Sequence, residues 1–381
     1  MSALLIRNAR LFDGDRWHDN AAMAVIAGRF VPASHAPADA EVIDAGGHLV
    51  VPGFIDLQVN GGGGINFNDE PSLHTIERIC AAHAKFGTTA LLPTLITDRR
   101  ETRTEAIVAG KAARAAGVPG FLGLHLEGPH LSAAKRGVHA AAYVRPMEEV
   151  DIKELIGAIT GVGTTMLTVA PESTSIEAVR RLVAAGGVIS LGHTDCDYET
   201  ALAYIAAGAS TATHLFNAMS PLGHRTPGMV GAVLDSGISA GLISDGIHVH
   251  PAAARIALRA KRGPGRLFLV TDAMLTIGTD MPDFELNGRT IFRRDGRLAL
   301  ADGTLAGADI DMLSSVRYAA EHFDIGFDEA IRMATVYPAE AMRIGNRKGR
   351  VAPGFDADFL LLTPDFELKS TWIAGARAHA G

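Results

Sequence analysis

Between Gly53 and Asp272 one phrase recurs eight times: a short apolar, β-branched run that ends in polar residues, followed by a stretch rich in Ala, Arg and Glu. The runs are GFIDLQV, TTALLPT, GFLGLHLE, TTMLTVAPE, GVISLGHT, ASTATHLFN, SAGLISD and RLFLVTDA. Intervening segments such as SLHTIERICAAHAKFG and SIEAVRRLVAAGG place apolar residues three and four apart and close on glycine, as an amphipathic helix does. Eight strand–helix units in about 220 residues predict a closed parallel barrel of the (β/α)8 type. A doubly wound open sheet is the alternative, but no Gly-rich dinucleotide fingerprint follows the first run.

The ends of the chain read differently. Residues 1–50 hold short alternating runs, LIRNARLFDG and MAVIAGRFV, and the tail GRVAPGFDADFLLLTPDFELKSTWIAG is again strand-like. Neither piece can build a core alone. The predicted fold class is therefore α/β: a (β/α)8 TIM-like barrel over 51–345 with a small β-sandwich domain formed by 1–50 and 346–381. Residues 276–308, with LNGRTIFRRDGRLAL, predict a hairpin insertion after the eighth strand, and helices follow at about 309–323 and 327–343.

With 381 residues, 48% of them hydrophobic, the chain can bury a large core. A net charge of −7 and the absence of any basic run argue against nucleic acid and anionic membrane as partners. Two cysteines in unlike contexts exclude a disulfide framework and point to the cytoplasm. The stretch MSALLIRNARLFDG turns polar too soon for a signal peptide, and no window offers the roughly 18 apolar residues of a membrane span.

Barrels of this kind keep their active sites at the C-terminal ends of the strands, where the polar residues of these runs gather. GLHLEGPH ends the third strand with His125 and Glu127 on one face, and Gly128-Pro129 stops the strand so that Glu127 projects at the rim. SLGHT ends the fifth with His193, and THLFNAM ends the sixth with His214. Glu127, His193 and His214 make a His2Glu set that holds a catalytic metal and leaves room for water. Asp272, in LVTDAM at the end of the eighth, has the chemistry of a general base beside such a set. SDGIHVHP supplies Asp245, His248 and His250. His248 is a candidate for polarising a carbonyl oxygen, whereas His250 packs or faces solvent. Two loops, HLSAAKRGVHAAAYVRP and SPLGHRTPG, carry Lys135, Arg136, His139 and Arg225, basic enough to hold an anionic group. Cys196 is not needed as a ligand.

The combination PGFIDLQVNG, HLEGPH, LGHT, THLFNAM, DGIHV and VTDAM resembles the amidohydrolase superfamily and, within it, the N-acetylglucosamine-6-phosphate deacetylase family. The likeness runs nearly end to end. It implies that Glu127, His193 and His214 bind one divalent metal per subunit, zinc before iron, manganese or cobalt. It also implies that Asp272 is the acid/base and that His248 contacts the acetamide oxygen. Asn217, Ala218 and Arg225 would meet the sugar-phosphate substrate, with Arg225 and His139 near the phosphate. That last pair can reach into a neighbouring subunit, which implies a homodimer with shared active sites. The activity implied is hydrolysis of N-acetyl-D-glucosamine 6-phosphate to D-glucosamine 6-phosphate and acetate.

One departure is instructive. Binuclear amidohydrolases end their first strand in His-x-His, which binds a second metal. Here DLQVN puts Gln58 and Asn60 at that pair, on one face with Asp56. Amides are poor ligands for a borderline metal, so the second site is expected to be missing, and both side chains remain free to bond water or substrate. No lysine ends the fourth strand, where TVAPE stands, so a carboxylated-lysine bridge is excluded. The alternatives are another amide or cyclic-imide hydrolase on the same barrel, or a metal-free scaffold that has lost catalysis.

Overall fold

A computed structural model describes residues 3–381, and in it each of the eight runs contains a strand. They span Phe54–Val59, Thr88–Ile96, Gly123–Glu127, Thr164–Val169, Val188–Leu191, Thr211–Ala212, Ser239–Ile243 and Leu267–Val270, paired in chain order, parallel throughout. The eighth returns to the first: Val59 and Ala273 form a parallel bridge, and Asp272 N donates to Gln58 O at 3.0 Å. The sheet closes into a barrel.

Alternation along each strand separates two cores. Leu124, Leu126, Leu167, Ile189, Leu191, Leu242 and Leu269 pack outward against the helices. Ala90, Leu92, Met166, Val188, Ile243, Phe268 and Val270 carry the opposite parity and fill the interior. Above that apolar layer lies a buried polar belt. Thr94 Oγ1 meets His125 Nδ1 at 3.1 Å, His125 Nε2 meets Thr168 Oγ1 at 2.7 Å, and Thr213 Oγ1 bonds both Thr168 and Ser190 at 2.6 Å. Burial pushes His125 down to about 4, so it serves the belt as a neutral ring.

Side-chain caps start several of the outer helices. Ser72 accepts from Thr75 N at the head of Leu73–Ala84, Ser175 from Ala178 N before Ile176–Ala184, and Asp197 from Thr200 N before Tyr198–Ala206. Asp311 does the same for Met312–His322. The helix expected over 327–343 is two, Phe327–Ala334 and Val336–Ala341. Pro338 is the cause, because its ring cannot sit against the carbonyl four residues back. No helix among the described residues is long and apolar enough to cross a membrane.

Both chain ends meet in one sheet. Leu4–Phe12, Trp17–Ile26, Arg29–Pro32, Glu41–Asp44 and Leu49–Pro52 pair with Phe359–Leu362, Leu368–Ile373 and Ala376–Ala380. The strands of Phe30 and Phe359 lie far apart in strand order, yet their rings are 6.0 Å apart, so the sheet folds over on its own core as a sandwich.

The insertion after the eighth strand is larger than a hairpin. Asp283–Leu286, Arg289–Arg294, Arg297–Ala299 and Leu305–Ala308 form a four-stranded antiparallel sheet. Asn287-Gly288 and Asp295-Gly296 make its first two turns, all four residues at positive φ, as tight hairpin turns require. This sheet covers the barrel mouth.

A close approach in the barrel wall is testable. A Cβ on Gly123 would lie 1.7 Å from the carbonyl oxygen of Thr164 on the next strand. Gly123→Ala should force the third and fourth strands apart and lower unfolding stability by about 1–3 kcal/mol. Denaturant melts of the two proteins give the comparison; an unchanged midpoint would contradict this packing.

Candidate active site

Three strand ends converge. Glu127 Oε1 lies 3.3 Å from His193 Nε2 and 3.3 Å from His214 Nε2, and the two imidazole nitrogens are 3.0 Å apart. All three side chains are buried. His193 Nδ1 donates to the carbonyl of Lys135 at 2.8 Å, which leaves Nε2 as the nitrogen aimed at the carboxylate. A tetrahedral shell with bonds near 2.0 Å has ligand–ligand edges of about 3.3 Å. The donor atoms stand at that separation, so the set fits one divalent cation.

The backbone is strained to achieve this. His193, His214 and Asp272 have φ of 48°, 29° and 53°, and Phe216 and Ala218 have 80° and 51°. Non-glycine residues in this region cost about 1–3 kcal/mol each and persist where neighbours hold them. Thr194 N donates to Ala218 O and Ser220 N to Thr194 O, so the loops after the fifth and sixth strands are zipped together. Glu172 accepts from Thr194 Oγ1 and Asp195 N, both at 2.7 Å, and anchors the turn that follows His193.

Electrostatics divide the two carboxyls. Burial would raise Glu127, but its hydrogen bonds and charge attraction to His193 and His214 outweigh that and hold it well below the usual range. His214 is raised, burial being overcome by its bond to Glu127. Burial and the nearby Glu127 charge push Asp272 up to about 6. Gln58 Nε2 bridges the two, donating to Glu127 Oε1 at 3.2 Å, Glu127 Oε2 at 3.3 Å and Asp272 Oδ1 at 3.1 Å. Asn60 Nδ2 donates to the same Asp272 oxygen at 2.7 Å.

A cavity opens above these groups. It is lined by Asn60, Glu127, His139, His193, His214, Asn217, Ala218, His248 and Asp272, and roofed by Leu286, Leu305, Ala306 and Gly307 of the insertion. His248 Nδ1 is tied to Asp245 Oδ2 at 2.6 Å. Asn60 Oδ1 is buried without a protein partner and offers an acceptor.

The other expected site residues lie as follows. Gln58 does not line the cavity; it is fully engaged beneath it by the two carboxylates. His139, expected near the phosphate of a neighbouring site, is buried in its own chain's cavity, Nε2 4.0 Å from Glu127 Oε2. Its ring nitrogen lies within 4.8 Å of the ligand atoms of Glu127 and His193, so these three could also hold an ion, though spaced more loosely than the set with His214. Thr97 N donates to His139 Nδ1 at 3.2 Å, so the neutral ring carries its proton on Nε2, and burial beside His193 pushes the group down to about 3. Arg225 is exposed and does not line the cavity of its own chain. Lys135 pairs with Asp195 at 3.2 Å, His250 is exposed at the N-cap of the helix Pro251–Ala260, and Cys196 lies outside the ligand set. The roof residues and Glu172 were not foreseen. Successive Asn-Gly, Asp-Gly and Asp-Gly pairs between 287 and 303 were the available signal for the roof.

Comparison with known proteins agrees with this geometry. The model of the amidohydrolase family matches residues 49–377. The chain is 46% identical to an N-acetylgalactosamine-6-phosphate deacetylase of a Shewanella strain, over 86% of this chain and 82% of that one. It is 38% identical to the N-acetylglucosamine-6-phosphate deacetylase of Haemophilus influenzae, over 91% and 90%. The crystal structure of N-acetylglucosamine-6-phosphate deacetylase from Pasteurella multocida superposes with a TM-score of 0.94 at 35% identity, each chain covered in full. A mutant of the Mycobacterium smegmatis enzyme in complex with N-acetyl-D-glucosamine-6-phosphate gives 0.90 at 32%, covering 99% of this chain and 100% of that one. The chain belongs to the amidohydrolase family and, within it, to the N-acetylglucosamine-6-phosphate deacetylases.

The amide pair makes a stoichiometric prediction. As isolated, the chain should bind one tightly held divalent ion, and changing Gln58 and Asn60 together to His should raise the capacity towards two. Elemental analysis after gel filtration measures both. Two tightly held ions in the unaltered chain would show that the amides do not limit the site.

Proposed function

We propose that this chain hydrolyses the acetamide of N-acetyl-D-glucosamine 6-phosphate to D-glucosamine 6-phosphate and acetate. We place it in the cytoplasm, as a homodimer using one divalent ion per subunit, zinc before iron, manganese or cobalt. The observation that carries the reading is the convergence of Glu127, His193 and His214 at one point beside a raised Asp272.

A divalent ion held by Glu127, His193 and His214 supplies Lewis acidity, which acidifies water and polarises a carbonyl. Asp272 takes the proton of the attacking water. Its Oδ1 is occupied by Gln58 and Asn60, so the proton travels on Oδ2. A carboxyl near 6 can both accept that proton and return it at neutral pH. As the tetrahedral centre collapses, the carbon–nitrogen bond breaks and Asp272 gives the proton to the departing sugar amine. His248 faces the acetamide oxygen, and Asn217, Ala218 and His139 hold the sugar. The insertion covers the far side with Leu286, Leu305 and Ala306.

The phosphate requires a cation, and neither lysine nor arginine lines the cavity. Arg225 stands exposed, on the same loop as the exposed Leu222. These facts support a dimer in which Arg225 serves the neighbouring site while His139 serves its own.

A second reading concerns the sugar. The Shewanella relative is named for the galacto epimer, so N-acetyl-D-galactosamine 6-phosphate is a second substrate to weigh. Acetate release should be assayed on both epimers with and without the 6-phosphate. A preference for the gluco phosphate supports the first reading, a preference for the galacto phosphate the second, and no acetate from any of the four contradicts both.

Two further outcomes are expected. Asp272→Asn should keep its metal and bind substrate while turnover falls by roughly 10²–10⁴, the range for a lost general acid/base; metal loss or near-normal turnover would reassign it. Arg225→Ala should raise KM for the phosphorylated substrate far more than for unphosphorylated N-acetylglucosamine. Mixing inactive His139 and Arg225 variants should restore about a quarter of the activity, because half the dimers become hybrids with one intact site of two. No recovery in subunits shown to exchange would mean that a single chain supplies both residues to a given site.

A further inference from the structure

The turn after the seventh strand contains a device that the reaction scheme leaves unused. Asp245 directs one carboxylate oxygen, Oδ1, to the backbone N–H groups of Ile247 and His248, each at 2.8 Å. Its other oxygen, Oδ2, faces His248 Nδ1 at 2.6 Å. Both side chains are almost fully buried, at 6% and 7% exposure. Gly246 between them has φ of 71°, and a Cβ there would lie 2.0 Å from Tyr318 Oη, so the turn is seated directly under that ring. Tyr318 is held in turn against His322, with ring centroids 4.2 Å apart. The loop is locked at both its acid and its glycine.

The chemistry follows from what each atom can do. Burial raises Asp245, but the bond to His248, its charge and the two N–H donors hold the carboxyl below its usual range, so it stays ionised. An ionised carboxylate only accepts. His248 Nδ1 therefore carries a proton, and the nitrogen left for the cavity is Nε2. Neither lysine nor arginine lines the cavity.

We infer that Asp245 is a positioning residue for the reaction, which fixes the proton on His248 Nδ1 and the orientation of the ring, and so turns Nε2 toward the acetamide oxygen. This rests on the proposed contact between His248 and that oxygen. A carboxylate behind a working imidazole does two things at once: it sets the ring's orientation and it stabilises the charged form as negative charge builds on the oxygen.

The test is a double-mutant cycle on the metal-loaded enzyme. Asp245→Asn keeps the side chain's shape, but its oxygen serves the backbone donors and its NH2 faces Nδ1, so the ring proton moves to Nε2 and the ring loses the carboxylate behind it. Metal content and melting temperature should match the parent. Turnover should fall about 10²-fold, with KM changed by no more than about threefold. In a His248→Gln background the same change should cost nothing further, because Asp245 then has no ring to act on. Nitrogen-15 NMR should find Nδ1 of His248 protonated in the parent and bare in Asp245→Asn. Independent, multiplying losses in the double variant, or a bare Nδ1 in the parent, would overturn the inference while leaving His248 its role. A His248→Gln variant with parental turnover would overturn the role of His248 itself, and the inference with it.

Discussion

Two carboxylates, the buried Glu127 and the half-buried Asp272, share one barrel mouth, and what surrounds them determines the chemistry available. Like charges about 5 Å apart repel by about 3 kcal/mol at an effective dielectric of 20. A hydrogen bond to a charged group contributes about 1.5–3 kcal/mol. Gln58 and Asn60 direct their amide N–H groups at the two carboxylates, enough to offset that repulsion without a second cation. The asymmetry is functional. Glu127 is bonded to two imidazoles and is held low, whereas burial and the Glu127 charge outweigh the amide and imidazole contacts at Asp272 and raise it. That difference is what the proposed roles of ligand and acid/base rest on.

The barrel exists in a form that serves this pair. Its apolar interior layer lies below and its polar belt of Thr94, His125, Thr168, Ser190 and Thr213 lies between, so the mouth rests on a hydrogen-bonded platform, not on a compliant one. Closure between first and eighth strands is made beside the residues of the proposed site. Asp56 accepts from Thr271 N and Oγ1, and Asp272 N donates to Gln58 O, so Asp272 is stitched to the amide strand at backbone level. The left-handed φ values at His193, His214 and Asp272 are the cost of turning each chain sharply enough to aim its side chain inward.

Much of this was legible in the residues. The eight runs gave the barrel because a fully buried parallel strand needs an unbroken apolar segment, and polar residues at its end have nowhere to go but the rim. Glu127, His193, His214 and Asp272 could be singled out for that reason, and the structure brings the four together. Position within loops was not legible. His139 and Arg225 both looked like rim cations, yet one is buried against Glu127 and the other is exposed, because loop paths are set by contacts distant in sequence, such as Arg289 holding Val138 O. Gln58 looked like a substrate contact because its partners, 69 and 214 residues away, are invisible along the chain. The roof was misread as one hairpin although its turn dipeptides were present; only the count of turns was missed.

The claim on which the rest depends is a single ion held by two imidazoles and one carboxylate. X-ray absorption spectroscopy at the metal edge, on chain loaded with one equivalent of zinc as the probe ion, tests it directly. The expected shell has two imidazole nitrogens and light oxygen ligands at about 2.0–2.1 Å, with no metal–metal scattering near about 3.5–4 Å. A third imidazole would place His139 among the ligands. A metal–metal vector would mean that the amides at Gln58 and Asn60 do not prevent a second ion, and either result would contradict the site described.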